Sequence, residues 1–385
     1  MGDPEVIEDQ TKGMGAAPDA PPAPAAGAGE PAALTTELTC SRGFSEWLAQ
    51  HNVSLAFSSY QSGQLFLIGR FPDGTVSFHQ RDFVRAMGLW AEPGRLFLAS
   101  LLQVWRLENV LADHERANQH FDHLYVPRTA RITGDVDAHE LGVDGRGRVI
   151  FVNTKFSCLA TFSLTHSFQP LWKPKFISRL AAEDRCHLNG MCMDGGQVRY
   201  VTAVSRTDVV DGWREQKAGG GVVIRVEDDA VVAEGLSMPH SPRLYGGFLW
   251  VLDSGRGYLV RIDPATGARQ DVAFCPGFLR GLALHDGHAI VTLSLPRYLN
   301  FKGLPIDEEI ARRGGQPWCG VQIINLATGD IVQWIRLEGH IRELFDVTVI
   351  PGVACPMAAP LQGPDLANLI TVEAPPRSLD EPGPP

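Results

Sequence analysis

The sequence predicts an all-β protein, specifically a six-bladed β-propeller. Three observations lead to this class: short β-like runs recur through the middle of the chain, Gly-rich turns separate them, and related segments repeat at a spacing of roughly 50 residues. Four antiparallel strands in a repeat of this size are typical of propeller blades. We therefore expect one domain, although a chain of 385 residues would by length alone suggest two or three.

One row of equivalent tripeptides marks the start of each predicted blade. After a tripeptide, a turn such as Asp144-Gly145 or Asp194-Gly195 leads to a second strand, and third and fourth strands follow. Successive members of the row are 52, 50, 53, 38 and 65 residues apart. The row consists of Met87-Gly88-Leu89, His139-Glu140-Leu141, Asn189-Gly190-Met191, Pro242-Arg243-Leu244, Arg280-Gly281-Leu282 and Phe345-Asp346-Val347.

Five of the blades are continuous, and the sixth is split between the two ends of the repeat region. Residues 54–60, 64–69 and 75–80 have the pattern of second, third and fourth strands, but no first strand precedes them. Residues 345–350 have the pattern of a first strand with no partners after it. Pairing the C-terminal strand with the N-terminal blade closes the ring and removes exposed strand edges. The propeller is therefore predicted to span 44–351.

Segments rich in Ala, Pro and Gly flank the predicted propeller. Between Met14 and Leu34, 17 of 21 residues are of these three types. Such a composition buries too little apolar surface to offset the entropy lost on ordering. We expect a disordered tail over 1–40 and a second, Pro-rich disordered tail over 375–385.

Composition excludes several classes of protein. The 34 basic and 44 acidic residues give a net charge of -10, which argues against a nucleic-acid-binding protein that relies on a global basic field. Seven cysteines without CxxC spacing indicate a reduced compartment, and we expect a cytoplasmic location. The chain has no 18-residue apolar stretch and no evident signal peptide, so neither a membrane nor a nucleic acid is an expected partner.

The starts of the first strands are the predicted location of the functional site, because in a propeller these residues converge on one mouth of the central channel. Two positions before the row stand Arg85, Asp137, His187, His240, Phe278 and Glu343. The row itself adds His139, Asn189 and Arg280, and the next position adds Glu140, Arg243 and Asp346. The simpler alternative is that these charged groups are solvated or pair with one another.

Histidines and carboxylates that converge from several blades favour a metal or catalytic site, since both are common metal ligands. His139, His187 and His240 are the predicted ligands of a divalent metal, either zinc or iron(II). Glu343 or Asp137 would supply a fourth ligand or orient a histidine. Glu343, Asp137, Glu140 and Asp346 are the predicted catalytic residues. A metal-free alternative uses one histidine as general base and the arginines as an anion clamp.

The loops between second and third strands should lie on the same face and bring further basic and aromatic groups there. An anionic substrate could be held by guanidinium groups and by an indole on these loops, although ordinary surface charge would give the same composition. The predicted substrate-binding residues are Arg85, Asn189, Arg243, Arg280, Lys155, Trp213, Arg214, Lys217 and Arg256.

Several longer motifs connect the chain to a known group of proteins. They include SSYQSGQLFLIG (58–69), VNTKFSCLATF (152–162), EDRCHLNGM (183–191), GLSMPHSPR (235–243) and PGFLRGLA (276–283). With them, residues 47–351 resemble an uncharacterised, mostly bacterial family of conserved hypothetical propeller proteins, some fused to tetratricopeptide repeats. The chain is also similar in fold to six-bladed lactonase and strictosidine-synthase-like propellers. The resemblance implies the fold and brings no catalytic residues with it.

The function that the sequence favours is a metal-dependent enzyme acting on a small anionic molecule or a peptide at the mouth of the channel. Hydrolase, isomerase and iron(II) oxygenase chemistry all remain open. The alternative is a non-catalytic propeller that binds a peptide or protein with the same ring of residues. A structural scaffold, in which the blade surfaces carry the interactions, is a third hypothesis.

Overall fold

Six sheets arranged as the blades of a propeller make up the structure, a computed structural model that describes residues 36–296 and 303–373. The predicted all-β class and six-bladed architecture are confirmed. Residues 1–35 of the predicted N-terminal tail and the whole predicted tail 375–385 lie outside the described residues. In the described part of the chain, the helices are too short or too polar to cross a bilayer. All seven cysteines are free, and the cytoplasmic location stays a prediction.

The N-terminal half of the described chain forms an edge strand, a helix, three strands of one blade and two complete blades. The first elements are β1 (Thr36–Cys40), α1 (Phe44–His51), β2 (Val53–Ser59), β3 (Gln64–Arg70) and β4 (Val76–Asp82). The second blade consists of β5 (Leu89–Glu92), β6 (Arg95–Ala99), β7 (Gln103–Asn109) and β8 (His123–Ile132). The third blade consists of β9 (Ala138–Val143), β10 (Val149–Asn153), β11 (Cys158–Thr161) and β12 (Gln169–Trp172).

The C-terminal half forms three more blades and returns to the first. The fourth blade consists of β13 (Leu188–Asp194), β14 (Gln197–Ala203), β15 (Gly221–Arg225) and β16 (Val231–Leu236), with α2 (Trp213–Gln216) between its second and third strands. The fifth consists of β17 (Pro239–Tyr245), β18 (Phe248–Asp253), β19 (Tyr258–Ile262) and β20 (Arg269–Phe274). The sixth consists of β21 (Phe278–His285), β22 (His288–Ser294), β23 (Cys319–Asn325) and β24 (Ile331–Gly339), with α3 (Ile306–Arg312) before β23. The last elements are β25 (Val347–Pro351), β26 (Pro356–Ala358) and α4 (Pro364–Asn368).

Burial falls from the inner to the outer strands of a blade, and the sequence follows it. All seven residues of β2, with the sequence VSLAFSS, are buried, because neighbouring blades cover both faces of an inner strand. By contrast, β20 begins with Arg269, Gln270 and Asp271, all exposed at the rim of the ring. The apolar runs predicted as second strands are therefore the blade-to-blade core.

The ring closes as the sequence predicts. β25 pairs antiparallel with β2, with Val347 opposite Phe57 and Pro351 opposite Val53. The sheet order β25-β2-β3-β4 defines the closing blade, which takes one strand from the C-terminal end and three from the N-terminal end. The first strands β5, β9, β13, β17, β21 and β25 contact one another in succession around the channel.

Two blades carry a fifth strand that the repeat pattern does not predict. Thr36–Cys40, the last part of the predicted tail 1–40, forms β1 and pairs antiparallel with β24 at the rim of the sixth blade. After the predicted end at residue 351, Pro356–Ala358 forms β26 and pairs parallel with β8 of the second blade. Both segments extend the propeller beyond the predicted range 44–351.

The fifth blade differs from the predicted row by two residues. Ala138 pairs with Asn153 in the third blade, and Pro239 pairs with Asp253 in the fifth, so His240 is the equivalent of His139. The predicted row placed Pro242 at this position. Side chains two residues apart point to the same face of a strand. Because the repeat varies in length, its spacing cannot tell which of two such residues occupies the row position.

One position further along the first strands, glycine and polar residues alternate around the channel. The six residues are Gly88, Glu140, Gly190, Ser241, Gly281 and Asp346. A Cβ atom at Gly281 would lie 2.6 Å from the nitrogen of Val347, and one at Gly88 would lie 2.8 Å from the carbonyl oxygen of His139. Neighbouring first strands therefore approach too closely for a side chain at every second position.

The polar members of this ring each bond to the backbone of the next first strand. The Glu140 carboxylate accepts from the Met191 nitrogen at 2.6 Å. The Ser241 hydroxyl donates to the Arg280 carbonyl at 2.7 Å. Asp346 Oδ2 accepts from the Leu89 nitrogen at 2.8 Å. These bonds link the third blade to the fourth, the fifth to the sixth, and the closing blade to the second.

The charge of one partly buried guanidinium acts on two of these carboxyl groups. Arg243 is ion-paired with Glu140 and also donates to the Met191 carbonyl at 3.1 Å. Burial and the nearby charge of Glu140 raise the pKa of Asp346 to about 7. Burial also raises the pKa of Glu140, although Arg243 opposes the effect. One positive charge cannot neutralise two buried carboxylates, so the protonated form of one of the two carboxyl groups is favoured.

Replacing Gly281 with Ala should lower the free energy of unfolding by about 1–3 kcal/mol, because the strands cannot accommodate the added methyl group without moving apart. Gly219→Ala is the matched control, since a Cβ atom there would meet nothing within 4 Å. Urea denaturation of the two variants measures the difference. Equal stability would contradict the close approach of the first strands.

Asp346 should make stability fall as pH rises. Its folded-state pKa lies above its ordinary value of 3.8, so its stabilising contribution is complete below about pH 4 and is lost as the pH rises to about 7. Asp346→Asn cannot titrate, so its stability deficit relative to wild type should shrink over this range. Urea denaturation between about pH 4 and pH 8 measures the deficit, with the exposed Asp113→Asn as control. A constant deficit would refute the assignment.

Candidate functional site

A cavity of about 1540 Å³ lies at the mouth of the channel where the first strands begin. Every residue predicted two positions before the row lines it, as do four further predicted residues. The first set is Arg85, Asp137, His187, His240, Phe278 and Glu343, and the second is His139, Arg280, Trp213 and Arg214. The repeat pattern therefore brought the correct strand ends together, even where its register was shifted.

The other predicted site residues lie outside the cavity lining. Asn189, Glu140, Arg243, Asp346, Lys155, Lys217 and Arg256 form this group. Glu140, Arg243 and Asp346 belong to the layer below the cavity, where their bonds join neighbouring blades, and their catalytic and binding roles stay predictions. Asn189 Nδ2 donates to the Pro239 carbonyl at 3.0 Å.

Two of the three loop cations in this group are ion-paired, and the third residue is held through its backbone. Arg256 is ion-paired with Asp253 at 3.0 Å and with Asp271 at 2.6 Å. Lys155 is ion-paired with Asp135 at 2.9 Å. The backbone carbonyl of Lys217 accepts from the Ser237 hydroxyl at 3.0 Å. These contacts hold loops in place around the face and do not reach the cavity.

Several lining residues were not predicted. Tyr60 and Phe345 add aromatic rings, and Asp184 adds a carboxylate. Phe345 belongs to the predicted row and Asp184 stands three residues before His187, so both carried a signal in the sequence. The segment Pro360–Gln362, which follows β26, also lines the cavity, and no repeat pattern points to it.

His139 and His240 are held by the same local arrangement in their two blades. His139 Nδ1 lies 3.0 Å from the Asp137 carbonyl and 2.8 Å from the Thr154 hydroxyl. His240 Nδ1 lies 2.8 Å from the Met238 carbonyl and 3.0 Å from the Ser254 hydroxyl. A carbonyl accepts only, so Nδ1 carries the proton in both rings. Nε2 is consequently the unprotonated nitrogen of each.

Burial keeps both of these imidazoles neutral. It lowers the pKa of His139 to about 4, although the carboxylate of Asp137 opposes the shift. It also lowers the pKa of His240 well below the ordinary value, and the charge of Arg280 adds to this effect. Near neutral pH each ring therefore offers Nε2 as a hydrogen-bond acceptor.

His187 is oriented by a carboxylate and an indole. Its Nδ1 lies 2.8 Å from Asp184 Oδ2, which also accepts from the Trp213 Nε1 at 2.8 Å. The imidazole stacks on the Trp213 ring with a centroid distance of 4.2 Å. A carboxylate accepts only, so Nδ1 of His187 carries a proton, and Nε2 is the ring nitrogen away from Asp184.

The predicted zinc or iron centre does not form from these three histidines. The rings of His139 and His187 meet edge to face at a centroid distance of 5.1 Å. In the described part of the chain, no group of three or more His, Cys, Asp or Glu side chains is arranged to hold a metal ion. His139, His187 and His240 share the cavity without sharing a centre.

Arg280 is the charged residue of the cavity floor with the fewest partners. Its side chain is 7% exposed, and its ion pair with Glu343 spans 3.7 Å. Its guanidinium carbon lies 4.9 Å from the ring centroids of Tyr60 and Phe278 and 5.7 Å from that of Phe345. Among the described residues, no hydrogen bond is donated by this guanidinium. Burial lowers the pKa of Arg280 to about 10, so it stays charged at neutral pH.

The remaining charges of the mouth are paired. Arg85 is ion-paired with Asp137 and, at 3.1 Å, with Asp135. Burial opposes the ionisation of Asp137, but His139 and Arg85 hold its pKa below the ordinary value. Arg214 lies over the Trp213 ring at 4.5 Å and is more than half exposed. Among the charged residues of the mouth that the structure describes, Arg280 alone combines burial with a guanidinium that donates no hydrogen bond.

Comparison with solved structures supports the fold. The chain is similar to a chain in the crystal structure of a nidogen/laminin complex, with 11% sequence identity and a TM-score of 0.51. The match covers 78% of this chain and 99% of that chain. At this identity the likeness concerns the fold alone.

Comparison with sequence families is more direct. No curated protein matches the chain. The bacterial distribution, the repeat fusions and the lactonase-like similarity stay predictions. The family described as a domain of unknown function, DUF4915, matches residues 42–359, and the chain belongs to this family.

Proposed function

We propose that the cavity binds a small molecule with a carboxylate or a similar anionic group, and that the protein is an enzyme in which His187 acts as a general base. The observation that carries this proposal is the buried guanidinium of Arg280, which lines the cavity and donates no hydrogen bond to any residue that the structure describes. The proposal keeps the predicted anionic substrate and adopts the metal-free alternative. Hydrolysis and isomerisation both fit a histidine base.

A buried guanidinium without hydrogen bonds is unfavourable, because the donors lose water and gain no partner. The three aromatic rings around Arg280 stabilise its charge through their faces but accept no conventional hydrogen bond. Glu343 at 3.7 Å is beyond good hydrogen-bond distance. A carboxylate that enters the cavity would accept two parallel bonds from the planar fork, which is the strongest pairing available to an arginine.

The proton-transfer step assigned to His187 rests on its two neighbours. Asp184 fixes the tautomer by accepting the Nδ1 proton, and Trp213 fixes the plane of the ring by stacking on it. Nε2 would accept a proton from the substrate or from a water molecule, and Asp184 would stabilise the imidazolium that forms. Trp213 also donates to Asp184, which holds the carboxylate itself in place.

A non-catalytic propeller that binds a peptide is the second candidate, and three exposed apolar side chains favour it, one of which, Val84, lines the cavity. Val84 is 71% exposed, Ile132 67% and Leu102 49%. Backbone bonds from Leu101 to Val84 and from Thr133 to Leu102 hold these residues together in one part of the second blade. The chain of similar fold comes from a nidogen/laminin complex, which agrees with a protein partner.

Arg280→Gln should weaken the binding of small carboxylates by about tenfold or more, because a buried charged bond is lost. Isothermal titration with a series of carboxylic acids from acetate to citrate measures the effect. Arg336→Gln is the matched control, since Arg336 pairs with Glu338 on β24 and does not line the cavity. Unchanged affinity in the Arg280 variant would overturn the anion site.

His187→Gln should leave the binding of the best carboxylate within a few-fold and reduce its turnover by about 100-fold or more, because only the base is removed. NMR of the bound acid detects hydrolysis, isomerisation or exchange of its carbon-bound protons with deuterium. His166→Gln, at an exposed turn, is the control. Binding without turnover in the wild type would reject the enzyme and favour the binding protein.

A further inference from the structure

We propose that the ligand of this cavity carries a hydroxyl or amino group beside its carboxylate, and that Nε2 of His139 and of His240 accepts hydrogen bonds from that group. This inference rests on the proposed function, since it assumes that Arg280 holds the carboxylate. It names the substrate class: hydroxy acids and amino acids, in preference to simple or dicarboxylic acids.

The first argument is the repetition of one arrangement in two blades. His139 and His240 occupy equivalent positions in β9 and β17, and each ring holds its Nδ1 proton against the carbonyl two residues earlier. A hydroxyl group at the end of the second strand, from Thr154 or Ser254, contacts the same nitrogen. Both rings are thus locked with the acceptor nitrogen on the side away from the backbone.

The second argument is the contrast with the fourth blade. The equivalent residue there is Asn189, whose Nδ2 donates to the Pro239 carbonyl at 3.0 Å. This amide bonds to a strand of the fifth blade, whereas Nδ1 of His139 and of His240 bonds to the carbonyl two residues earlier in its own segment. An imidazole has a second nitrogen, Nε2, which lies further from the backbone than the amide of Asn. In agreement with this, His139 and His240 line the cavity, whereas Asn189 does not.

The third argument is the charge around the floor. Arg280 offers donors only, whereas the neutral Nε2 atoms of His139 and His240 offer lone pairs only. A ligand with one carboxylate and a neighbouring hydroxyl or amino group satisfies both. A second carboxylate would face the lone pairs of these rings and the carboxylates of Asp137 and Glu343, which also line the cavity.

The aromatic lining of the cavity favours probe molecules that carry a phenyl group. Tyr60, Trp213, Phe278 and Phe345 border the cavity, and its volume of about 1540 Å³ admits a phenyl ring with space to spare. Four acids that share one body therefore isolate the polar group. They are 3-phenylpropionate, 3-phenyllactate, phenylalanine and benzylmalonate.

Isothermal titration of the full chain with these acids tests the inference. We expect 3-phenyllactate, phenylalanine or both to bind about tenfold or more tightly than 3-phenylpropionate, with benzylmalonate no better than 3-phenylpropionate. Arg280→Gln should weaken every acid that binds. Equal affinity for all four acids, each dependent on Arg280, would overturn the inference and leave the proposed anion site intact. No binding, or binding independent of Arg280, would overturn both.

Two variants separate the role of Nε2 from folding. His139→Asn and His240→Asn keep a short side chain with an amide donor and remove Nε2, and the fourth blade has Asn189 at the equivalent position. Each should reduce the affinity for the preferred acid by about tenfold and leave that for 3-phenylpropionate unchanged. His139→Gln and His240→Gln, whose longer amide can reach the place of Nε2, should recover part of the preference. Equal losses for the preferred acid and for 3-phenylpropionate would assign the histidines a structural role and overturn the inference.

Discussion

The close approach of six inner strands around one axis is the constraint on which the rest of this structure depends. Gly88, Gly190 and Gly281 allow the backbones to approach, and the polar side chains between them bond to the next strand at three of the six contacts. The channel is consequently filled one layer below the row residues. The cavity therefore has a floor, and the side chains of His139, His240 and Arg280 form it.

The two layers of polar residues differ in how completely their groups are paired. In the lower layer, Arg243 has the Glu140 carboxylate and two backbone carbonyls as partners, so it contributes to holding the ring together. In the upper layer, Arg280 has aromatic rings and a distant carboxylate. The Arg243 side chain is 24% exposed and that of Arg280 only 7%, so among the described residues the more deeply buried guanidinium has the fewer partners, which identifies the upper layer as a place for a ligand.

Net charge says little about this site. The chain is acidic overall, yet arginines and carboxylates both line the mouth and largely cancel one another. Selectivity for an anion then depends on two features. The guanidinium of Arg280 has donors that no described residue uses, and the neutral histidines beside it do not repel a negative charge as carboxylates would. Such a site recognises the arrangement of donors and acceptors in its ligand, because the surrounding field is close to balanced.

The amino-acid sequence by itself determined the propeller, its six blades and the strand that closes the ring. Turn residues and apolar runs repeat with the blade, and burial on both faces of an inner strand imposes the same residue types each time. It also identified the ring of strand ends, since any residue at an equivalent position must converge on the channel.

Tertiary structure decided which members of that ring have partners. The shift of two residues in the fifth blade, which makes His240 the equivalent of His139, follows from strand pairing that repeat spacing does not resolve. Whether the guanidinium group of Arg280 or Arg243 has hydrogen-bond partners depends on groups from other blades, which lie far away in the sequence. The edge strands β1 and β26 are decided in the same way, because each is defined by an outer strand that only the closed fold brings alongside.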